Sequence, residues 1–355
     1  MGTPVMDRVA LDRVMIVMMS AVGDTVHVLP VISALKRHNP GTHITWVVQP
    51  GPASLVRGHP AVDELIIFDR ALGVRAFLDI RRRLARTPVD SVLDLQVYLK
   101  AGIVTSFARA PVKIGFDRAR ARDLNWLFTN RRIPPHAVQH VQDQYLEFLA
   151  ALGVPPEPVV WNLGPWTEER DAQRSFYAAI ERPVAAIVVA TSNPHKDWVP
   201  ERWAEVAELL HSDYGLQPVL VGGTTARERA AEQRIRLRAP HTRSALGSGL
   251  RALVGIIDGA AVVLSPDTGP LHMAVALNRP VVSLMGYTNP KRTGPYRRFQ
   301  DLMVDAYGEP GEDYPASMEV RPGRMSRITV SDVMERIEVW QTRYAQNRTP
   351  PPAAA

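Results

Sequence analysis

The sequence contains no cysteine. That excludes disulfides and cysteine–zinc sites and suits a reducing compartment. Long apolar runs are missing too. "VMIVMMSAV", near the start, falls well short of the ~18–20 apolar residues that span a bilayer. The opening "MGTPVMDRVALDR" has mixed charge and no signal-peptide apolar core. The expectation is a soluble cytoplasmic protein. Several functional signatures are also lacking. "SAVGDTVH", after the first apolar run, holds one glycine where a dinucleotide fingerprint needs G-x-G-x-x-G. The 10 histidines form no H-E-x-x-H pattern, and the carboxylates form no paired cluster that would hold magnesium. His136 and His140 have helical spacing, but Pro134 and Pro135 precede them, so no metal is expected there. The basic residues are spread out with no recognition motif, so nucleic acid is not an expected partner.

The chain has 355 residues, more than one core usually organises, and 46% of them are hydrophobic. Two domains follow as the expectation. Apolar strand patterns alternate with amphipathic helix patterns from Arg13 to about residue 153, then again from "PVAAIVVATS" onward. That order predicts an α/β protein: two Rossmann-like, doubly wound domains with a cleft between them. The expected boundaries are 1–165 and 166–328, with "PPEPVVWNLGPW" as the linker. A last helix is expected over 329–346, with Ser331 as its N-cap, followed by a disordered tail over 347–355. The net charge of +6 favours an anionic partner without choosing one.

One stretch combines these signals. "LSPDTGPLHMAVALNRPVVSLMG" reads as strand, polar corner, helix and strand. A helix that begins at a strand's carboxyl end offers unpaired N–H groups and a positive dipole end, an anion site. Asp267, Thr268, Gly269, Pro270 and His272 occupy that corner. Gly269 would allow close backbone approach, Thr268 and His272 could donate to phosphate, and Pro270 suits the first helical turn. A capping aspartate and a packed histidine would give the same pattern.

The segment "DTGPLHMAVALNRPVVSLMGYTNPKRTGPY" resembles the signature region of glycosyltransferase family 9, the ADP-heptose:lipopolysaccharide heptosyltransferases. "VMIVMMSAVGDTVHVLPVISALKRHNPGTHITWVV", "HPAVDELIIFDR" and "TSNPHKDWVPERWAEVAELL" resemble further landmarks of that family, in the same order. The resemblance implies a GT-B fold, with an acceptor-facing first domain and a nucleotide-sugar-binding second domain. It implies that the last helix returns to the first domain. It also implies inverting, metal-independent transfer of heptose from ADP-heptose to a lipopolysaccharide inner-core acceptor of Kdo-lipid A type. The donor would be a substrate, and no cofactor is expected. Another nucleotide sugar, or a non-catalytic sugar-nucleotide-binding protein, stays open.

The resemblance makes Asp24 the general base; Gly23, expected at the donor site, permits a tight turn beside it. It places Thr191, Ser192 and Lys196 at the donor diphosphate. Glu228, in "GGTTARERAAE", could accept from a ribose hydroxyl, although an exposed helical glutamate fits as well. In "GFDRARARDLNWLFTNRR", Arg118, Arg120 and Arg122 are candidates for the anionic glycolipid acceptor. Arg122 aligns with a family element read as "SAREP"; the text here is "ARARD". Arg81, Arg82 and Arg83 could meet anionic lipid at the cytoplasmic face of an inner membrane, or form a solvated helix face.

Overall fold

The computed structural model describes residues 9–345. The expected tail over 347–355, and residue 346 of the expected last helix, lie outside them. The chain divides into two compact units. The first runs to Ala137 and resumes over Val141–Leu163; the second takes Val138–His140 and the chain from Gly164.

In the first unit, β1 (Arg13–Val17) leads to α1 (Val22–His38), β2 (His43–Val48), α2 (Pro50–Val56) and β3 (Glu64–Ile67). Then come α3 (Val74–Leu84), β4 (Ser91–Asp94), α4 (Leu99–Phe107), β5 (Val112–Gly115), β6 (Arg131–Arg132) and α5 (Val141–Ala151). The strands form one parallel sheet in the order β3-β2-β1-β4-β5-β6. The apolar runs predict this burial: Val14, Met15, Ile16 and Val17 of β1 are fully shielded, as a central parallel strand must be. Each such side chain contributes roughly 1.5–3 kcal/mol of transfer free energy. On α3, Ala76, Ile80 and Leu84 recur at four-residue spacing and are buried, so one face packs inward.

The second unit holds α6 (Arg170–Ala178), β7 (Val184–Val188), α7 (Pro200–Ser212), β8 (Gln217–Val221), α8 (Ala226–Arg238) and β9 (Arg243–Ser244). It continues with α9 (Leu250–Gly259), β10 (Val262–Pro266), α10 (Gly269–Ala276), β11 (Val281–Met285), α11 (Pro290–Thr293), β12 (Met303–Asp305) and α12 (Val330–Arg343). Its sheet order is β12-β11-β10-β7-β8-β9, all parallel. Counted afresh from β7, this is the order of the first sheet. Both units therefore have the dinucleotide-fold topology, in which the order reverses between the first and fourth strands and leaves a crevice at their carboxyl ends.

One expectation needs correction. The N-cap of α12 is Thr329, not Ser331. Its hydroxyl accepts from the Asp332 N–H at 3.1 Å, and Asp332 accepts from the Thr329 N–H at 2.7 Å. This reciprocal T-x-x-D box satisfies two end groups at once. The helix packs on α7, β11 and β12 of the second unit. Val333, Ile337 and Trp340 are its buried stripe, and Trp340 Nε1 donates to the Ala261 carbonyl at 3.0 Å.

Candidate active site

Asp24 follows the carboxyl end of β1, at the reversal point of the first sheet. It is the third residue of α1, not its N-cap. Its Oδ2 accepts from the Ala21 N–H at 3.0 Å and its Oδ1 from the Tyr145 hydroxyl at 3.1 Å. The carboxylate thus stabilises the start of the helix with one oxygen and is oriented from α5 through the other. It stays partly exposed. Gly23 sits inside the first helical turn and is not a left-handed residue, so the expected tight-turn role is corrected. Gln96, beyond β4, pins the segment before α1. Its Oε1 accepts from Met19 N–H at 3.0 Å and its Nε2 donates to Ser20 O at 2.6 Å.

Below that crevice Asp94 ends β4, fully buried. Thr105 Oγ1 and Asn125 Nδ2 each donate to Oδ2 at 3.1 Å, and Gln96 N–H donates to Oδ1 at 3.2 Å. Burial pushes this carboxyl up to about 7, against the pull of those donors. The folded protein therefore holds the proton more tightly than the unfolded chain. The resulting stabilisation is complete below about pH 4, where unfolded Asp94 is also protonated. It is lost as pH rises through 7. The urea unfolding midpoint should fall between pH 5 and pH 8 in the native protein, and Asp94→Asn should remove that part of the slope.

In the second unit, four neighbouring strands deliver side chains to one edge. Asp267 follows β10 and is buried. Lys196 Nζ, from the segment after β7, lies 2.7 Å from its Oδ2. His272 Nε2, one turn into α10, lies 3.6 Å from Oδ1, an electrostatic contact longer than a hydrogen bond. The hydroxyls of Thr288 and Thr293 also donate to Oδ2, that of Thr293 at 3.2 Å. Burial by itself would raise this carboxyl. His272 and Lys196 overcome it and hold Asp267 far below the usual carboxylate range. Lys196 is 22% exposed, so it is neither the solvated surface lysine of a bland sequence nor wholly enclosed. Two of its three donors are left for a ligand.

α10 begins at Gly269 with Pro270 in its first turn and Thr268 in extended conformation as N-cap. The Thr268 side chain makes no capping bond, so its hydroxyl is not spent on the helix. Thr191 is buried. Its N–H donates to Asp197 Oδ1 at 2.7 Å and its hydroxyl to Asn193 O at 2.7 Å, an arrangement that shapes the loop after β7. Ser192 is exposed beside it. Arg227 of α8 pairs with Asp197 at 2.9 Å and donates to the Thr191 carbonyl.

Glu228 is not an exposed helical glutamate. It is buried at the third position of α8, where Oε1 accepts from Gly223 N–H at 2.6 Å and Oε2 from Thr225 N–H at 2.8 Å. A Cβ at Gly223 would stand 2.9 Å from Glu228 Oε2, so glycine is required for this approach. Both oxygens already serve the loop after β8.

The arginine-dense segment divides. Arg120 is enclosed: Nε donates to Asp117, Nη1 to Glu147 at 2.8 Å and Nη2 to Pro134 O at 2.9 Å. Its donors are committed to the protein, which corrects its placement as an acceptor contact. Arg118 is exposed and stacks 4.5 Å from the Trp126 ring centre. Arg122 is exposed, and its backbone N–H donates to Val97 O at 2.7 Å. His136 and His140 do not share a helix, because α5 starts at Val141; His140 Nε2 lies 3.0 Å from Gly294 O.

Sequence reasoning missed Tyr145, Gln96, Arg227, Thr288 and Thr293. It also missed His195 and Tyr287, whose rings stack at 5.6 Å beside the Lys196 loop. Apart from His195, which adjoins Lys196, each lies far along the chain from the group it serves, so spacing carries no signal for it. Among the described residues, no three His, Asp or Glu side chains converge as metal ligands, and no helix is long and apolar enough to cross a membrane.

The family model for glycosyltransferase family 9 (heptosyltransferase) matches residues 77–317. The chain is 30% identical over 330 residues to the lipopolysaccharide core heptosyltransferase OpsX of Haemophilus influenzae, covering 90% of this chain and 94% of that one. The solved Escherichia coli heptosyltransferase WaaC with ADP superposes with a TM-score of 0.73 at 27% identity, covering 94% of this chain and 99% of that one. WaaC with ADP-2-deoxy-2-fluoro heptose gives 0.73 at 26% identity, over 92% and 99%. Two like-wound parallel sheets aligned over that length make this a GT-B fold of two Rossmann-like domains. The chain is a glycosyltransferase and belongs to family 9, the heptosyltransferases.

Proposed function

We propose that the protein transfers heptose from ADP-heptose to a lipopolysaccharide inner-core acceptor of Kdo-lipid A type, with inversion and without a metal. The observation that carries this is the cluster of Lys196, Asp267 and His272 at the start of α10, in a chain of the heptosyltransferase family. A helix N-terminus and an ammonium together suit a diphosphate. As the bond from the anomeric carbon to the diphosphate breaks, negative charge builds on the leaving oxygen, and Lys196 stabilises it. Asp267 holds that lysine in place without neutralising its other donors. Asp24 takes the proton from the acceptor hydroxyl as its oxygen attacks the opposite face of the sugar. WaaC was captured with ADP and with an ADP-linked fluoroheptose, which supports the same nucleotide here.

The decisive experiment incubates the protein with ADP-heptose and Kdo-lipid A, with and without EDTA, and weighs the products. One added heptose, formed equally in both, is expected. ADP bound with no transfer to any core acceptor would leave only a donor-binding protein. Lys196→Ala should raise the donor KM by about tenfold or more, in line with ~1.5–3 kcal/mol for a charged contact. An unchanged donor dependence would remove Lys196 from the diphosphate site.

A further inference from the structure

The exposed apolar side chains of the first unit are not scattered. The large ones among the described residues all lie at or beyond the carboxyl ends of its strands. Ile67, Leu72, Val74 and Leu78 come with β3 and its sequel, and Val74 is 77% exposed. Tyr98 and Leu99 follow β4. Leu124 and Leu127 follow β5, at 58% and 56% exposure. Among the described residues, the opposite edge of the sheet contributes no large exposed hydrophobic. The helix geometry sharpens this. With Ala76, Ile80 and Leu84 turned inward, Val74 and Leu78 sit one turn apart on the outer face of α3. Arg81 flanks that ridge on one side, and Arg75 and Arg82 flank it on the other.

Cations surround the apolar tips. Arg70, Arg75, Arg81 and Lys100 are exposed there. The exposed acids are Asp79, which meets Arg82 at 3.5 Å, and Asp123. Arg83 is tied to Glu64 at 3.1 Å, so only part of the arginine run faces outward free of a carboxylate. α3 packs on α4, which brings the ridge and the Tyr98 corner into one layer. Apolar tips on separate loops, ringed by arginine and with little acid, have the chemistry of an interfacial surface.

We propose that the carboxyl edge of the first sheet, with the outer face of α3, docks on an anionic phospholipid bilayer. The apolar tips enter the headgroup boundary, and the arginines meet lipid phosphate. Asp24 emerges at the same edge of the sheet, so a lipid-borne acceptor would be presented to the base from the surface on which the protein rests. That last point depends on the function proposed above; the docking surface does not.

The test is sedimentation of the full chain with vesicles of phosphatidylcholine alone or mixed with phosphatidylglycerol, without donor or acceptor. Binding to the anionic vesicles, weakened by salt, is expected. Val74→Asp with Leu78→Asp should lower it at least about tenfold, and Arg75→Gln about fivefold. Both variants should keep the native melting temperature and full turnover on a lipid-free, water-soluble core acceptor. Equal binding to neutral vesicles, no binding, or variants that bind as the native protein does would each overturn the proposal; the last two would leave the surface to a protein partner. Vesicle binding in a protein that transfers no heptose would sink the function and spare the docking surface. Transfer without vesicle binding would do the reverse.

Discussion

Replacing Asp24 with asparagine is expected to lower kcat by about 10²–10⁴-fold, the usual contribution of a positioned general base. The fold should survive, because the amide oxygen can still accept from the Ala21 N–H that the carboxylate now caps. ADP binding should be unchanged, since the donor contacts proposed here lie in the second unit. Asp24→Ala should also lose turnover and in addition weaken the start of α1 by roughly 0.5–1 kcal/mol. Comparing the two separates base chemistry from helix capping. Steady-state kinetics and ADP calorimetry on both variants make the measurement. Full activity in either variant would remove Asp24 from the base role.

The second large effect is on stability. Asp267→Ala is expected to cost about 3–5 kcal/mol, because it leaves Lys196 and His272 facing a buried gap where their counter-charge stood. Asp267→Asn keeps the shape and an acceptor for Thr293, so its cost should be smaller. The pH dependence has a definite sign. Asp267 ionises far more readily folded than unfolded, so its contribution is fully present above about pH 4 and is lost as pH falls below that. Asp94 works in the opposite direction, its contribution fading as pH rises through 7. Denaturant melts of the native protein and the two variants across pH would resolve both slopes. A stability unaffected by Asp267→Ala would mean that the Lys196 and Asp267 pair carries no net energy.

How much of this was readable beforehand depends on distance along the chain. The corner from Asp267 to His272 is local, and its strand–helix–strand pattern, glycine and proline announce it. The alternation of apolar strands and amphipathic helices likewise announces two doubly wound sheets. The short strands β6, β9 and β12 were not legible, since two or three residues carry no periodicity. Lys196 read as a plausible phosphate ligand, but its ion pair with Asp267 spans 71 positions and leaves no trace in local spacing. Arg120 shows the opposite failure. It stands in a run of alternating arginines that looks solvated, yet Glu147 and Pro134 enclose it from elsewhere in the unit. Glu228 fails similarly: its neighbours Arg227 and Arg229 suggest a wet helix face, while the glycine pair upstream lets its carboxylate fold back on the loop. At the last helix, Thr329 and Ser331 are both cap formers, and only Thr329 has an acid three residues on.

One measurement bears most directly on the chemistry. In the proposed mechanism a single carboxylate acts as base and the diphosphate leaves from the opposite side, so displacement is one step. Nuclear magnetic resonance of the purified product from ADP-heptose should therefore show the new glycosidic linkage with anomeric configuration opposite to that of the donor. A linkage that keeps the donor configuration would contradict the mechanism built on Asp24 and Lys196.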